Sequence, residues 1–281
     1  MRREVAPALD GLRLEADGIY SSHVAQTAEQ ADEIRLREAV AAGKYPDLLD
    51  EVARHHSIRV MDRELRLFLE GIPRAGVVAD IGGGWGWHWR HLDRLRPDIC
   101  VVLVDFVREN LAIAARMLGG LVSDQVYLVH GDATALPFPS ALFDGYWSVQ
   151  ALQHVPRFEQ AVAEAHRILR PGGEFACYAL NRAALIEVAY RVAGRPYHVH
   201  GKRPGTFYLS RASAAQKEII KRIFASDVKA RFTEILFHPD LRLKCGREGS
   251  LLGRIDARLS GSTPLWGWIA RQRSYHVCKS A

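Results

Sequence analysis

The sequence has little cysteine and no long apolar run, and both shortages narrow what it can be. Four cysteines among 281 residues, Cys100, Cys177, Cys245 and Cys278, stand singly. With no CxxC pair there is no zinc-site spacing, and they read as reduced structural thiols. No stretch approaches the roughly 18 apolar residues of a membrane span, and Met1-Arg2-Arg3-Glu4 has no apolar run behind it, so a cytoplasmic location is expected. His55-His56 and His198-Val199-His200 lack carboxylate or cysteine partners at ligand spacing, so no metal is expected. Repeats are also lacking. The 48% hydrophobic and 25% charged residues are the proportions of an ordinary globular chain with a sizeable core. Acidic residues are scarce in one place: 182–281 hold 7 Asp and Glu against 19 Lys and Arg, a net +12, whereas 1–181 hold 25 against 19, a net −6. Such asymmetry suits a surface for anionic substrates, lipid headgroups or nucleic acid, or else a solvated Arg-rich face.

Periodicity divides the chain. Thr27-Ala28-Glu29-Gln30 has the form of a capping box and Gly43 stands at a helix stop, so a helix is expected between them. A second is expected from Pro46 to about Glu70, with Leu49, Val52, Val60, Leu65 and Phe68 near helical spacing and Gly71-Ile72-Pro73 ending it. From Gly76 apolar runs alternate with helical stretches. Val77–Ile81, Val101–Val104, Val126–Val129, Tyr146–Val149 and Glu174–Leu180 read as strands; the intervening helices include one running from the glycines after Ile81 to Leu95. Continuous apolar strands alternating with helices imply an α/β fold with a mostly parallel sheet covered on both faces. After Asn181 helices are expected through Ala184–Val192, near Ala212–Phe224 and around Leu251–Leu259. Strands at Arg231–Phe237 and Ser274–Lys279 should join the sheet edge. The expected organisation is a helical cap over 1–74, a core over 75–181 and an elaborated segment over 182–281.

The densest chemical signal is Asp80-Ile81-Gly82-Gly83-Gly84-Trp85-Gly86, a strand ending in an acid and opening into glycines. Glycine is needed where a ligand nears the backbone or φ is positive. Counting from Gly82, a dinucleotide fingerprint needs a glycine at the sixth position, which is Trp87, so the nicotinamide reading weakens. Asp105 ends the second strand, where a carboxylate can accept both ribose hydroxyls of an adenosine; a helix cap is its structural alternative. Gly131-Asp132-Ala133 follows the third strand, where Asp132 either takes the adenine amine or forms a turn. Together these residues occupy the carboxyl ends of successive strands, where open α/β sheets bind ligands.

With Gly131–Pro139, then Phe143-Asp144, then Arg170-Pro171-Gly172-Gly173 in order behind Asp80–Gly86, residues 75–181 resemble the class I S-adenosylmethionine-dependent methyltransferases of the ubiquinone/menaquinone C-methyltransferase type. That resemblance implies a seven-stranded Rossmann-like sheet with a reversed final hairpin, and S-adenosylmethionine as cofactor. It assigns Asp80, Gly82, Gly83 and Gly84 to the methionine end, Asp105 and Phe106 to the ribose and adenine, and Asp132 and Ala133 to the adenine. Ser148 and Gln150 would face the methionine and the methyl. Trp85, Trp87 and Trp89 depart from the pattern: they either pack as core or narrow the pocket.

Methyl transfer from a sulfonium is an in-line displacement, so the protein mainly aligns the acceptor and, where needed, takes a proton. His154 is the candidate base, with a structural histidine as its alternative. Tyr20, His23, His198 and His200 are candidate substrate contacts in flanking segments. A small-molecule or lipid-like acceptor is favoured, methylated at O, N or C, and an anionic amphiphile would use both the basic segment and the covered pocket. Nucleic acid is disfavoured, because base-amine methyltransferases carry Asn/Asp-Pro-Pro-aromatic where this chain has Ser148-Val149-Gln150-Ala151. An RNA or protein methyltransferase and a non-catalytic cofactor-binding protein remain the rival readings. Leu251, Leu252, Trp266 and Trp268 form an apolar stripe suited to core, or to peripheral membrane contact.

Overall fold

The run Val77–Ile81, buried at every position, becomes the middle strand of a nine-stranded sheet in the computed structural model. Residues 2–22, 35, 38, 43, 45, 47–195, 197 and 209–280 are described. The strands are β1 (Arg13–Leu14), β2 (Tyr20–Ser21), β3 (Val77–Ile81), β4 (Cys100–Asp105), β5 (Val126–His130), β6 (Phe143–Val149), β7 (Leu169–Leu180), β8 (Lys229–Thr233) and β9 (Gln272–Cys278). Their order across the sheet is β1-β2-β5-β4-β3-β6-β7-β9-β8. From β5 to β7 all neighbours run parallel, and β9 lies antiparallel between β7 and β8. These seven form the expected sheet with its reversed last strand. The two further strands come from the N-terminus, where a helical cap was expected. β2 pairs in parallel with β5, and β1 folds back on β2.

Alternation along the strands feeds two cores, one on each face. Val77, Ala79, Ile81, Val102, Val104, Tyr127 and Val129 meet the helices Phe158–Ile168 and Ala214–Phe224 on one side. Val78, Val101, Leu103, Val126, Leu128 and Trp147 meet Ile58–Glu70 and Arg108–Leu118 on the other. Burial on both faces is why apolar residues run along these strands rather than at every second position, Asp80, Asp105 and Ser148 being hydrogen-bonded exceptions near the strand ends.

Several local expectations change. The helix expected from Pro46 is two, Leu48–His55 and Ile58–Glu70, with His56 and Ser57 extended between them. The helix expected after the glycines is a 3₁₀ turn at Trp87–Trp89 and one turn at Leu92–Leu95. Gly86, left-handed at φ +68, enters that turn, and the two indoles pack inward on either side of His88. The helix expected from Thr27 to Gly43 falls almost wholly outside the described residues. Of the apolar stripe, Leu251 and Trp268 are exposed, whereas Trp266 packs against the cluster of Phe232, Ile235 and Ala270, so the stripe is core only in part.

Candidate functional site

The sheet order reverses between β3 and β6, so the crevice for a ligand opens beyond the carboxyl ends of those two strands. Gly82–Gly86 forms one wall. Gly82 and Gly84 lie at φ +70 and +56, a region that side chains penalise. The amides of Gly82 and Gly83 both donate to the Val104 carbonyl, at 2.8 and 3.2 Å, which anchors the bend to β4. A Cβ on Gly82 would stand 2.1 Å from the Ala151 methyl, and one on Gly84 would meet nothing within 4 Å. Thus Gly82 is required by the β6 side of the fold, and Gly84 faces open space.

Asp80 lies below this bend, buried, and accepts the Trp89 indole N–H at 2.6 Å. Burial pushes its carboxyl up to about 7, against the lowering by the Trp89 hydrogen bond; the charge of Asp105 adds to the rise. Asp105 accepts from the Gly84 amide at 2.8 Å, the Val107 amide at 2.8 Å and the Asn110 side-chain amide at 3.2 Å. It therefore holds the glycine bend and the entry to helix Arg108–Leu118 in one piece, and Asn110 in turn accepts the Trp85 indole N–H at 3.2 Å. Asp132 Oδ1 closes a turn through the amide and hydroxyl of Thr134, at 2.8 and 2.9 Å, and Arg157 reaches Asp132 Oδ2 at 3.9 Å. Asp105 pairs with His130 across β4 and β5, and this sets the Gly131-Asp132-Ala133 turn beside it. Phe106, half-buried, presents its carbonyl to His130 Nε2 at 3.1 Å.

On the β6 side, Ser148 is fully buried and donates to the Ile81 carbonyl at 2.8 Å, clamping β6 to β3. Gln150 adopts φ +53, unusual for a residue with a Cβ, and its side-chain Nε2 is buried without a hydrogen-bond partner among the described residues. Strain and an unmet donor at a switch point are both marks of a place kept for a ligand. His154 ends a 3₁₀ turn, with Nε2 3.1 Å from the side-chain nitrogen of Gln153. Gln153 is fixed by accepting the Leu180 amide at 2.8 Å.

The structure brings together Asp80, Gly82, Gly83, Gly84, Asp105, Phe106, Asp132 and Ala133 at the tips of β3, β4 and β5, with Ser148 near the end of β6 and Gln150 and His154 beyond it. Tyr20 is not with His154. It lies on β2 opposite Val129, four strand spacings away, roughly 19 Å. His23, His198 and His200 lie outside the described residues. The tryptophans are structural: Trp89 supports Asp80, Trp87 stacks on His88 at 3.8 Å, and Trp85 braces Asn110 and touches Tyr45 at 4.9 Å. Sequence reasoning missed Asn110 and Ala151. Asn110, five residues after Asp105 in the first turns of a helix, carried a faint positional signal; Ala151 carried none. Among the described residues no group of His, Cys, Asp and Glu could hold a metal ion, and no helix is long and apolar enough to cross a membrane.

Residues 79–177 match the family described as methyltransferase domain, the segment that builds both walls of this crevice. The ubiquinone/menaquinone biosynthesis C-methyltransferase of Methylobacterium nodulans is 37% identical over 101 residues, covering 36% of this chain and 40% of that one. The chain thus spans less than half the length of such curated relatives. A chain from the complex of the Haloferax volcanii Trm112 methyltransferase activator with a methyltransferase superposes with a TM-score of 0.56 at 18% identity, over 88% of this chain and 98% of that one. Haemonchus contortus phosphoethanolamine N-methyltransferase 2, in complex with S-adenosyl-L-methionine, gives 0.51 at 19% identity, over 78% and 52%. Residues 79–177 thus match a methyltransferase domain, and the fold is the Rossmann-like one of these solved structures.

Proposed function

We propose that the protein transfers a methyl group from S-adenosylmethionine to a small-molecule or lipid-like acceptor. The observation that carries this is the pairing of the open side of Gly84 with the unmet amide of Gln150, on opposite walls of the switch-point crevice. A group with a polar amino-acid end and an adenosine fits that crevice. Gly82–Gly84 let the backbone come close, Gln150 has a donor to give, and the Asp105 and Asp132 carboxylates lie farther along, at the tips of β4 and β5. S-adenosylmethionine supplies the electrophilic methyl. The chain's own residues orient it, exclude water and, at His154, are placed to take a proton from the acceptor.

The similarity over 79–177 ends before 182–281, so the acceptor does not follow from the relatives' names. In this reading residues 1–74 and 182–281 flank the core over 75–181 and complete the acceptor side. Isothermal titration with S-adenosylmethionine, S-adenosylhomocysteine and NAD(P) tests the cofactor: saturable binding of the first two and none of the third is expected. A protein that binds neither sulfur nucleoside would not be a methyltransferase of this kind. Labelled cofactor with a small-molecule extract, read by mass spectrometry, then tests transfer.

A further inference from the structure

The sheet edge beyond β7 holds a second unmet group. Arg271 immediately precedes β9 and is 1% exposed, and its Nη1 donates to the buried carboxylate of Glu234. Its Nε and Nη2 have no hydrogen-bond partner among the described residues. Those two nitrogens form the side-on edge of the guanidinium, the fork that meets a carboxylate or phosphate with two parallel hydrogen bonds. A buried guanidinium with that edge unfilled is costly unless something fills it.

A second arginine lies close by. Arg242 and Arg271 share the Phe237 ring, at 6.0 and 5.1 Å from its centroid. Glu234 is committed to Arg271 and to the Ser57 amide at 2.9 Å. Asp256 accepts the Ile235 and Leu236 amides, and burial pushes its carboxyl up to about 7. His238, held by the Tyr197 hydroxyl at 3.0 Å, stands beside them and stays neutral, since burial lowers its imidazole to about 4.

The position suits a substrate. The Arg271 carbonyl accepts the Asn181 amide at 2.7 Å at the end of β7, where Leu180 also bonds Gln153, the neighbour of His154. Two strand spacings, roughly 10 Å, separate the tip of β6 from β9. We propose that Arg271 anchors an anion-binding subsite that takes a carboxylate or phosphate group carried by the methyl acceptor. The word acceptor rests on the methyltransferase reading; the anion site does not.

Titration of the full chain with inorganic phosphate and with acetate, at constant ionic strength in chloride, tests the site. Saturable binding of one of them is expected. Arg271→Lys keeps the charge and loses the fork, and should weaken that binding at least about tenfold while leaving S-adenosylhomocysteine binding unchanged. If that variant does not fold, the wild type alone decides, because no saturable binding of either anion overturns the proposal. A small-molecule extract separated on an anion exchanger and treated with labelled cofactor then distinguishes the sources. Label in the retained fractions supports an anionic acceptor, and label only in the flow-through overturns it. Phosphate or acetate binding without label in any fraction keeps the anion site, and it is the methyl-transfer reading that then fails.

Discussion

Gly84→Ala separates a ligand role from a folding role. At φ +56 an alanine costs about 1–2 kcal/mol of backbone strain. No protein atom lies within 4 Å of the added Cβ, so the fold bears little more than that. For a chain of this size the cost lowers Tm by about 2–8 °C. The methyl would instead enter the space that the proposed function gives to the methionine end of the cofactor. The backbone there cannot withdraw freely, because the Gly84 amide is bonded to Asp105 at 2.8 Å. Affinity for S-adenosylhomocysteine should fall at least about tenfold, or roughly 1.4 kcal/mol. Differential scanning fluorimetry and titration calorimetry on the same preparation read both quantities. A folded Gly84→Ala protein that binds S-adenosylhomocysteine within twofold of wild type would refute the placement. Gly82→Ala is the control: its Cβ would stand 2.1 Å from Ala151, so the loss is in folding, and Ala151→Gly should restore part of it.

Asp80 should make cofactor affinity depend on pH. Its carboxyl titrates near 7, and the ionised form attracts the cationic cofactor, so S-adenosylmethionine should bind more tightly as pH rises from 6 to 8, and Asp80→Asn should flatten that dependence. The same shift bears on stability with the opposite slope. The folded carboxyl holds its proton above the unfolded value, so its contribution to stability is full below about 4 and is lost as pH rises through 7, which urea unfolding of wild type and Asp80→Asn would compare. Trp89→Phe removes the bond that lowers this group, so the midpoint of the affinity profile should move above that of wild type; an unchanged midpoint would disconnect Trp89 from the site. Glu64→Gln breaks a buried carboxylate held by Arg231 at 2.7 and 2.8 Å and by the Tyr178 hydroxyl at 3.2 Å. It should cost about 3 kcal/mol in urea unfolding, less than the full penalty because Arg231 is partly exposed, and a loss below about 0.5 kcal/mol would make the pair incidental.

The parallel core was legible because burial on both faces leaves a strand few polar positions, and five mainly apolar runs stood between helical stretches. Asp80, Asp105 and Asp132 were legible because a strand end followed by glycine or a turn former is a local signal. β1 and β2 were not: two residues apiece carry no period, and only pairing with β5 makes them strands. The broken helix at Trp87–Leu95 was hidden because helical spacing in the sequence cannot register the left-handed Gly86. Asp105 accepts the Val107 amide at the turn into the helix, whose N-cap is Val107 itself, and the Gly84 amide at the bend beside the crevice. Arg271 was invisible, one arginine among many, because its significance comes from long-range contact with Glu234.

Charge asymmetry between the two parts of the chain has a structural use that the net values conceal. Cations of the basic C-terminal segment reach back to the acidic first two thirds: Arg231 to Glu64, Arg247 to Asp50 at 3.0 Å, and Arg222 to Glu159 at 2.7 Å. Lys279 donates to the carbonyls of His166 and Leu169 at 2.7 and 2.8 Å. In the other direction Arg63 donates to the Ala257 and Ser260 carbonyls, at the carboxyl end of helix Leu251–Leu259, where a helix dipole favours a cation. Most of these contacts are exposed enough that each adds little stability, but together they fix where the segment lies on the edge of the sheet. Part of the excess positive charge is therefore internal fastening rather than a surface for nucleic acid or lipid. Arg271 differs from the fastening residues. Its partner Glu234 belongs to its own segment, it is buried deeper than they are, and it keeps an unfilled fork at the one sheet edge that neighbours His154. A basic segment that served only to close the fold would have no need of that arrangement.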